Sequence, residues 1–130
     1  MKKQILAVDD DVVILKLLNH ILHKRYDVVV HQSGIDAFAW LEECHFPDVI
    51  ISDLQMPYFH GQSFVRNLKI SGFYRDTPVL VLSGVPDIEE QVSKMPIPIE
   101  AWIRKPFNPT GLLATLDQLI TQHPVYQAHG

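Results

Sequence analysis

The chain has 130 residues, 47% of them hydrophobic, with 15 Asp and Glu against 11 Lys and Arg and a net charge of −4. That is one domain, able to bury roughly 65–70% of its unfolded surface without a staple. The acidic balance leaves no basic stripe for nucleic-acid phosphates, and no apolar run approaches the ~20 residues of a membrane span.

Direct nucleic-acid or membrane binding is therefore not expected. The opening Met1-Lys2-Lys3-Gln4-Ile5 is too short for a signal peptide, and Cys44 has no partner for an internal disulfide. A reducing cytoplasm is the expected setting.

In chain order, Gln4–Val8 is a short apolar run that reads as a buried strand, followed by Asp9-Asp10-Asp11. Ile14, Leu17, Leu18, Ile21 and Leu22 then recur at helical spacing through His23. Asp27–His31 is β-branched and reads as a second strand. Ser33-Gly34-Ile35-Asp36 resembles a capping box, opening a helix with Ala37, Leu41 and Cys44 on one face. Pro47-Asp48 breaks it, and Val49–Ser52 is the third strand, with Asp53 at its end.

A loop holding Met56-Pro57 leads to a helix from Gly61 to Ile70, with Phe64, Val65 and Leu68 inward. Thr77-Pro78 introduces the fourth strand, Val79–Leu82, which Ser83-Gly84 ends. Asp87–Lys94 is polar helix former, but Pro96 and Pro98 follow at once. Each proline lacks an amide donor and biases its predecessor away from helix, so about two turns are expected there. Glu100–Arg104 is the fifth strand, and Lys105-Pro106 follows it. Asn108-Pro109 is a cap-plus-first-residue pair for a last helix carrying Leu112, Leu113, Leu116, Leu119 and Ile120. His123-Pro124 is expected to stop it, dividing a domain over 1–123 from a loose tail or linker over 124–130.

Strand and helix alternate five times, which argues for a parallel sheet with helices on both faces. In such a sheet, residues just past the carboxyl ends of central strands converge on one crevice. Here those residues are Asp9, Asp10, Asp53, Ser83 and Lys105.

Two carboxylates about 5 Å apart repel by roughly 3 kcal/mol at an effective dielectric of about 20. A cluster of acids therefore calls for a cation, and all-oxygen ligands suit Mg²⁺ or Mn²⁺. A carboxylate can also attack phosphorus to give an acyl phosphate, provided the phosphoryl oxygens are neutralised and the geometry is in line. Each residue also has a plainer reading. Asp9–Asp11 would cap the next helix, Asp53 would start a turn, Ser83 would cap the helix near Asp87, and Lys105 would be a surface lysine. Their coincidence at strand ends favours the crevice.

The ordered set Asp9-Asp10, Asp53-Leu54-Gln55-Met56-Pro57 with Gly61, Ser83-Gly84 and Lys105-Pro106-Phe107 resembles the receiver domain of two-component response regulators, over residues 3–122. The resemblance implies a five-stranded, doubly wound, flavodoxin-like α/β sandwich of strand order 2-1-3-4-5, here with a shortened fourth helix. It implies Asp53 as phosphoacceptor, served by a histidine kinase or phosphotransfer protein. Asp9 and Asp10 would hold Mg²⁺ together with Asp53 and the backbone carbonyl of Gln55. Lys105 would pair with the phosphoryl group, Ser83 would move to hydrogen-bond it, and an aromatic on the fifth strand would turn into the space behind.

The family usually has Tyr or Phe at that aromatic position, and this chain has Trp102. An indole is larger and donates one hydrogen bond, so either the slot is wider or Trp102 stays fixed and the readout differs. Output would pass through the fourth helix, fifth strand and fifth helix to a downstream domain or protein, with homodimerisation a further mode. Pro96 and Pro98 would reshape that face.

The expected function is a phosphorylation-switched signalling module and not a turnover enzyme. An aspartate-nucleophile phosphatase would usually need a second acid where Gln55 stands. A flavin carrier would need a Gly, Ser and Thr loop where three aspartates stand. A receiver acting by protein contacts without phosphorylation is the third alternative. His20 and His23 show no third metal ligand, and Cys44 reads as a partly buried apolar residue.

Overall fold

The computed structural model describes residues 2–53, 61–84, 86–94 and 99–128. Its strands are β1 (Lys3–Val8), β2 (Tyr26–His31), β3 (Val49–Asp53), β4 (Val79–Ser83) and β5 (Ala101–Arg104). The helices between and after them are α1 (Val12–Leu22), α2 (Gly34–Glu42), α3 (Gly61–Ile70), α4 (Ile88–Lys94) and α5 (Pro109–Ala128). All strand pairs are parallel and the order is β2-β1-β3-β4-β5, as the resemblance implies.

Burial follows strand position. Every residue of β3 and β4 is buried, as central parallel strands covered on both faces require. The edge strand β5 instead alternates between half-buried and exposed. One core layer lies between the sheet and α2, α3 and α4, built on Leu6, Ile50, Phe64, Leu68, Val81 and Ile88. The other lies against α1 and α5, built on Ile5, Ile51, Leu18, Leu80, Leu112 and Leu116. Burying one such Leu, Ile or Phe contributes about 1.5–3 kcal/mol.

The caps are local chemistry. Ser33 Oγ accepts from the Asp36 amide at 3.1 Å, and Asn108 Oδ1 accepts from the Thr110 amide at 2.8 Å. The fourth helix has seven residues, the two turns expected before Pro96 and Pro98; those prolines lie outside the described residues.

Three expectations change. On α1, Leu15 is buried while Leu17 is 42% exposed, because the buried stripe runs through Leu15, Leu18 and Leu22 at spacings of three and four. Cys44 is exposed and lies beyond α2, with φ of 69°. It turns the chain out of the helix in the left-handed conformation, its amide bonding the Leu41 carbonyl at 3.0 Å. Finally, α5 runs through His123-Pro124 to Ala128. A proline there forfeits one amide bond at a cost of about 3 kcal/mol and leaves the bonds of the earlier turns in place.

Candidate functional site

Asp9, Asp53, Ser83 and Lys105 all sit at strand termini. Asp53 and Ser83 are the last residues of β3 and β4, and Asp9 and Lys105 directly follow β1 and β5. The registers bring these ends level. Asp53 faces Leu82, so Ser83 is one step away, and the Lys105 amide bonds the Ser83 carbonyl at 2.8 Å. Apolar, fully buried strands thus deliver polar groups to one end of the sheet.

The aspartate cluster divides its labour. Asp11 caps α1, its carboxylate accepting from the Val13 amide at 2.9 Å. Asp9 turns inward, 1% exposed, with Oδ1 accepting from the Asp11 amide at 2.9 Å and Oδ2 from Lys105 Nζ at 2.8 Å. Lys105 Nζ also lies 3.6 Å from Asp53 Oδ2. Asp53 is 4% exposed and Ser83 is fully buried, whereas Asp10 is exposed at the mouth. Asp9, Asp10 and Asp53 each offer a carboxylate oxygen, all within 4.8 Å of one another.

The electrostatics are unbalanced. Burial pushes the Asp9 carboxyl above its usual range, although its bonds to Lys105 and the Asp11 amide pull the other way. For Lys105, burial disfavours the ammonium, but the hydrogen bond to Asp9 and the charges of Asp53 and Asp9 outweigh it and raise its pKa. The pair keeps Lys105 charged without fully compensating Asp9. One ammonium facing three carboxylates is too little positive charge. A cation of two charges held by oxygens fits this donor set, and Asp9, Asp10 and Asp53 are the residues that would hold it.

Trp102 lies on β5 and is 36% exposed; its neighbours Ala101 and Ile103 pack on the α1 and α5 layer. Gln55 lies outside the described residues. The sequence missed which acid Lys105 engages most closely, since spacing along the chain carries no signal for a bond across 96 positions. It also missed two structural clamps. Tyr26 and Arg25 both donate to the Asp117 carboxylate, and Lys69 bonds Glu100 at 2.8 Å. Only the lone acid on the apolar stretch Leu112–Ile120 hinted at the first.

Residues 5–117 match the family model of the response regulator receiver domain. The chain is 31% identical over 121 residues to the response regulator MprA of a Mycobacterium species, covering 92% of this chain and 51% of that protein. It is 28% identical over 126 residues to the probable transcriptional regulator ycf27 of Cyanophora paradoxa, covering 95% of this chain and 51% of that one. The chain therefore spans about half the length of the curated relatives it matches.

Among solved structures, the chemotaxis protein CheY4 of Vibrio cholerae is 34% identical with a TM-score of 0.79, the match covering 92% of this chain and 99% of that one. The signal receiver domain of an HD domain-containing protein from Pseudomonas fluorescens shares the fold, with a TM-score of 0.86 at 24% identity over 96% of this chain and 99% of its own. With the family matched across nearly all of its strands and helices, the chain belongs to the response regulator receiver domains of two-component systems.

Proposed function

We propose that Asp53 takes a phosphoryl group from a phosphohistidine on a partner kinase or phosphotransfer protein. The observation that carries this reading is the crevice itself, where the buried Asp53 shares Lys105 with Asp9 and has a carboxylate oxygen within 4.8 Å of one from Asp9 and one from Asp10. An Asp53 oxygen attacks phosphorus, the phosphorus–nitrogen bond to the donor imidazole breaks, and the imidazole leaves with that electron pair. Mg²⁺, when bound by Asp9, Asp10, Asp53 and the Gln55 carbonyl, would supply charge neutralisation for the phosphoryl oxygens.

The new dianion offers Lys105 a stronger acceptor than Asp9 and offers Ser83 a charge-assisted bond. The Lys105 amide is bonded to the Ser83 carbonyl, so a pull on either residue would be passed between the ends of β4 and β5. That movement would reach Trp102 and the face formed by α4, β5 and α5, where a downstream domain or protein would read it. No helix among the described residues is long and apolar enough to cross a membrane, which suits a cytoplasmic signalling role. Residues 1–123 would act as the receiver unit and 124–130 as its connection onward.

Incubation with Mg²⁺ and acetyl phosphate followed by intact-mass measurement tests this. One added phosphoryl group is expected on the parent and none on Asp53→Asn. No adduct on the parent, or an equal adduct on the variant, would sink the reading.

A further inference from the structure

The edge of the sheet at β2 is only lightly protected against pairing, Asp27 being its one acidic or basic side chain apart from His31. Among the described strands β2 borders only β1, and its six residues Tyr26–His31 run in unbroken register with Lys3–Val8. It carries no proline, no lysine and no bulge, the features that normally blunt an edge. Three consecutive valines, Val28, Val29 and Val30, occupy its centre, and Val30 is 40% exposed. Beside them lies an open groove of about 590 Å³ between the strand and α1, lined by Val12, Leu15, Val28 and Val30 with Lys16 and Asn19.

Backbone geometry fixes which groups are free. Successive residues of a strand turn their N–H and C=O to opposite sides. The His31 carbonyl accepts from the Asp9 amide at 3.2 Å, so Asp27, Val29 and His31 face β1 with their backbones. Val28 and Val30 therefore point theirs outward, away from the sheet.

We propose that this edge pairs with the same edge of a second copy of the chain, antiparallel about a two-fold axis at Val29. In that register Val28 of each copy exchanges both backbone bonds with Val30 of the other. Asp27 then faces His31 of the second copy in a non-hydrogen-bonded pair, where side chains approach most closely. The contact is isologous, so the pair forms twice.

Sliding either strand to the next register that keeps the outward groups paired sets Asp27 or His31 against Val29, so only this register gives the Asp27 carboxylate an imidazole N–H to accept from. The Nε2 of His31 is buried with no hydrogen-bond partner in the described residues, so turning the ring toward the facing carboxylate forfeits no bond at that atom. On the other face the valines of the second copy extend the apolar stripe beside Val12 and Leu15. The result is one continuous sheet through both copies. This inference rests on the sheet and not on phosphorylation at Asp53.

Sedimentation velocity on the full chain, over a concentration series to about 100 µM, tests it. A dimer is expected. Val30→Pro removes an outward amide and leaves the β1 ladder intact, so it should give a folded monomer by circular dichroism and sedimentation. Asp27→His and His31→Asp should each weaken dimerisation about tenfold, and the double exchange should restore it; this arm decides the matter if the proline variant does not fold. Phe73→Ser, at the exposed aromatic cluster with Phe46, should change nothing. A monomer at every concentration would overturn the proposal. So would a dimer that the β2 variants leave intact, or an exchange that fails to restore pairing.

Discussion

The crevice at the carboxyl ends of the strands and the clasp of Arg25, Tyr26 and Asp117 near their amino ends both set carboxylates against donors, with opposite outcomes. In the clasp, hydrogen bonds from Tyr26 and then Arg25 hold the Asp117 carboxyl below its usual range, overcoming burial. In the crevice, burial wins and the Asp9 carboxyl is raised even with Lys105 at 2.8 Å. Asp117 has two donors to itself, whereas Asp9 shares its one ammonium with Asp53. A complete ion pair belongs to the scaffold, and an incomplete one is ready for a ligand.

The sharpest way to break this contrast is to supply the missing charge. Mg²⁺ at ~100 times its Kd should stabilise the parent by about 2.7 kcal/mol in thermal or urea unfolding. In an Asp9→Asn, Asp10→Asn double variant most of that gain should vanish. An undiminished gain would place the cation elsewhere.

Lys105→Ala should still accept phosphate from acetyl phosphate but lose the accompanying shifts in the amide NMR spectrum, because the ammonium that would link the phosphoryl group to β5 in the proposed switch is gone. Unchanged shifts would remove Lys105 from the switch.

The clasp answers to pH and not to Mg²⁺. Tyr26 is pushed up to about 12, chiefly by burial and then by its bond to Asp117. Its stabilisation is complete below the ordinary pKa of 10.0 and is lost as pH rises from there through about 12. Asp117 acts in the reverse sense, its contribution present above 3.8 and lost as pH falls through its lowered pKa. Tyr26→Phe should cost about 1 kcal/mol near neutrality and flatten the alkaline limb of a urea-stability profile. A parallel profile for parent and variant would contradict the assignment.

The smallest effect is expected at Cys44, whose φ of 69° strains a side chain there. Cys44→Gly should stabilise by up to about 1 kcal/mol. The native thiol should also react with a soluble disulfide reagent without unfolding, since it is exposed.

Much of the scaffold was legible because its signals are local. Val49–Ile51 and Val79–Leu82 are unbroken apolar runs, as central parallel strands are, and the polar Asp53 and Ser83 at the ends of those strands mark the crevice. Ser33 and Asn108 announced helix starts through their own side chains. What escaped is long-range or conformational. The bond between Lys105 and Asp9 joins ends of the chain, and the clasp joins Tyr26 to a helix 91 residues later. Cys44 looked like one more apolar position on α2 because helical spacing does not reveal where the last turn ends. Pro124 looked like a stop because a proline's missing amide says nothing of what the surrounding turns retain.

The central claim is that one carboxylate among several close neighbours is the phosphoacceptor. Treating the acetyl-phosphate-reacted protein with borohydride reduces an acyl phosphate on aspartate to homoserine, which tandem mass spectrometry of the peptides then locates. The account predicts conversion at Asp53 alone, dependent on Mg²⁺. Conversion at Asp9 or Asp10, or at no residue, would contradict it.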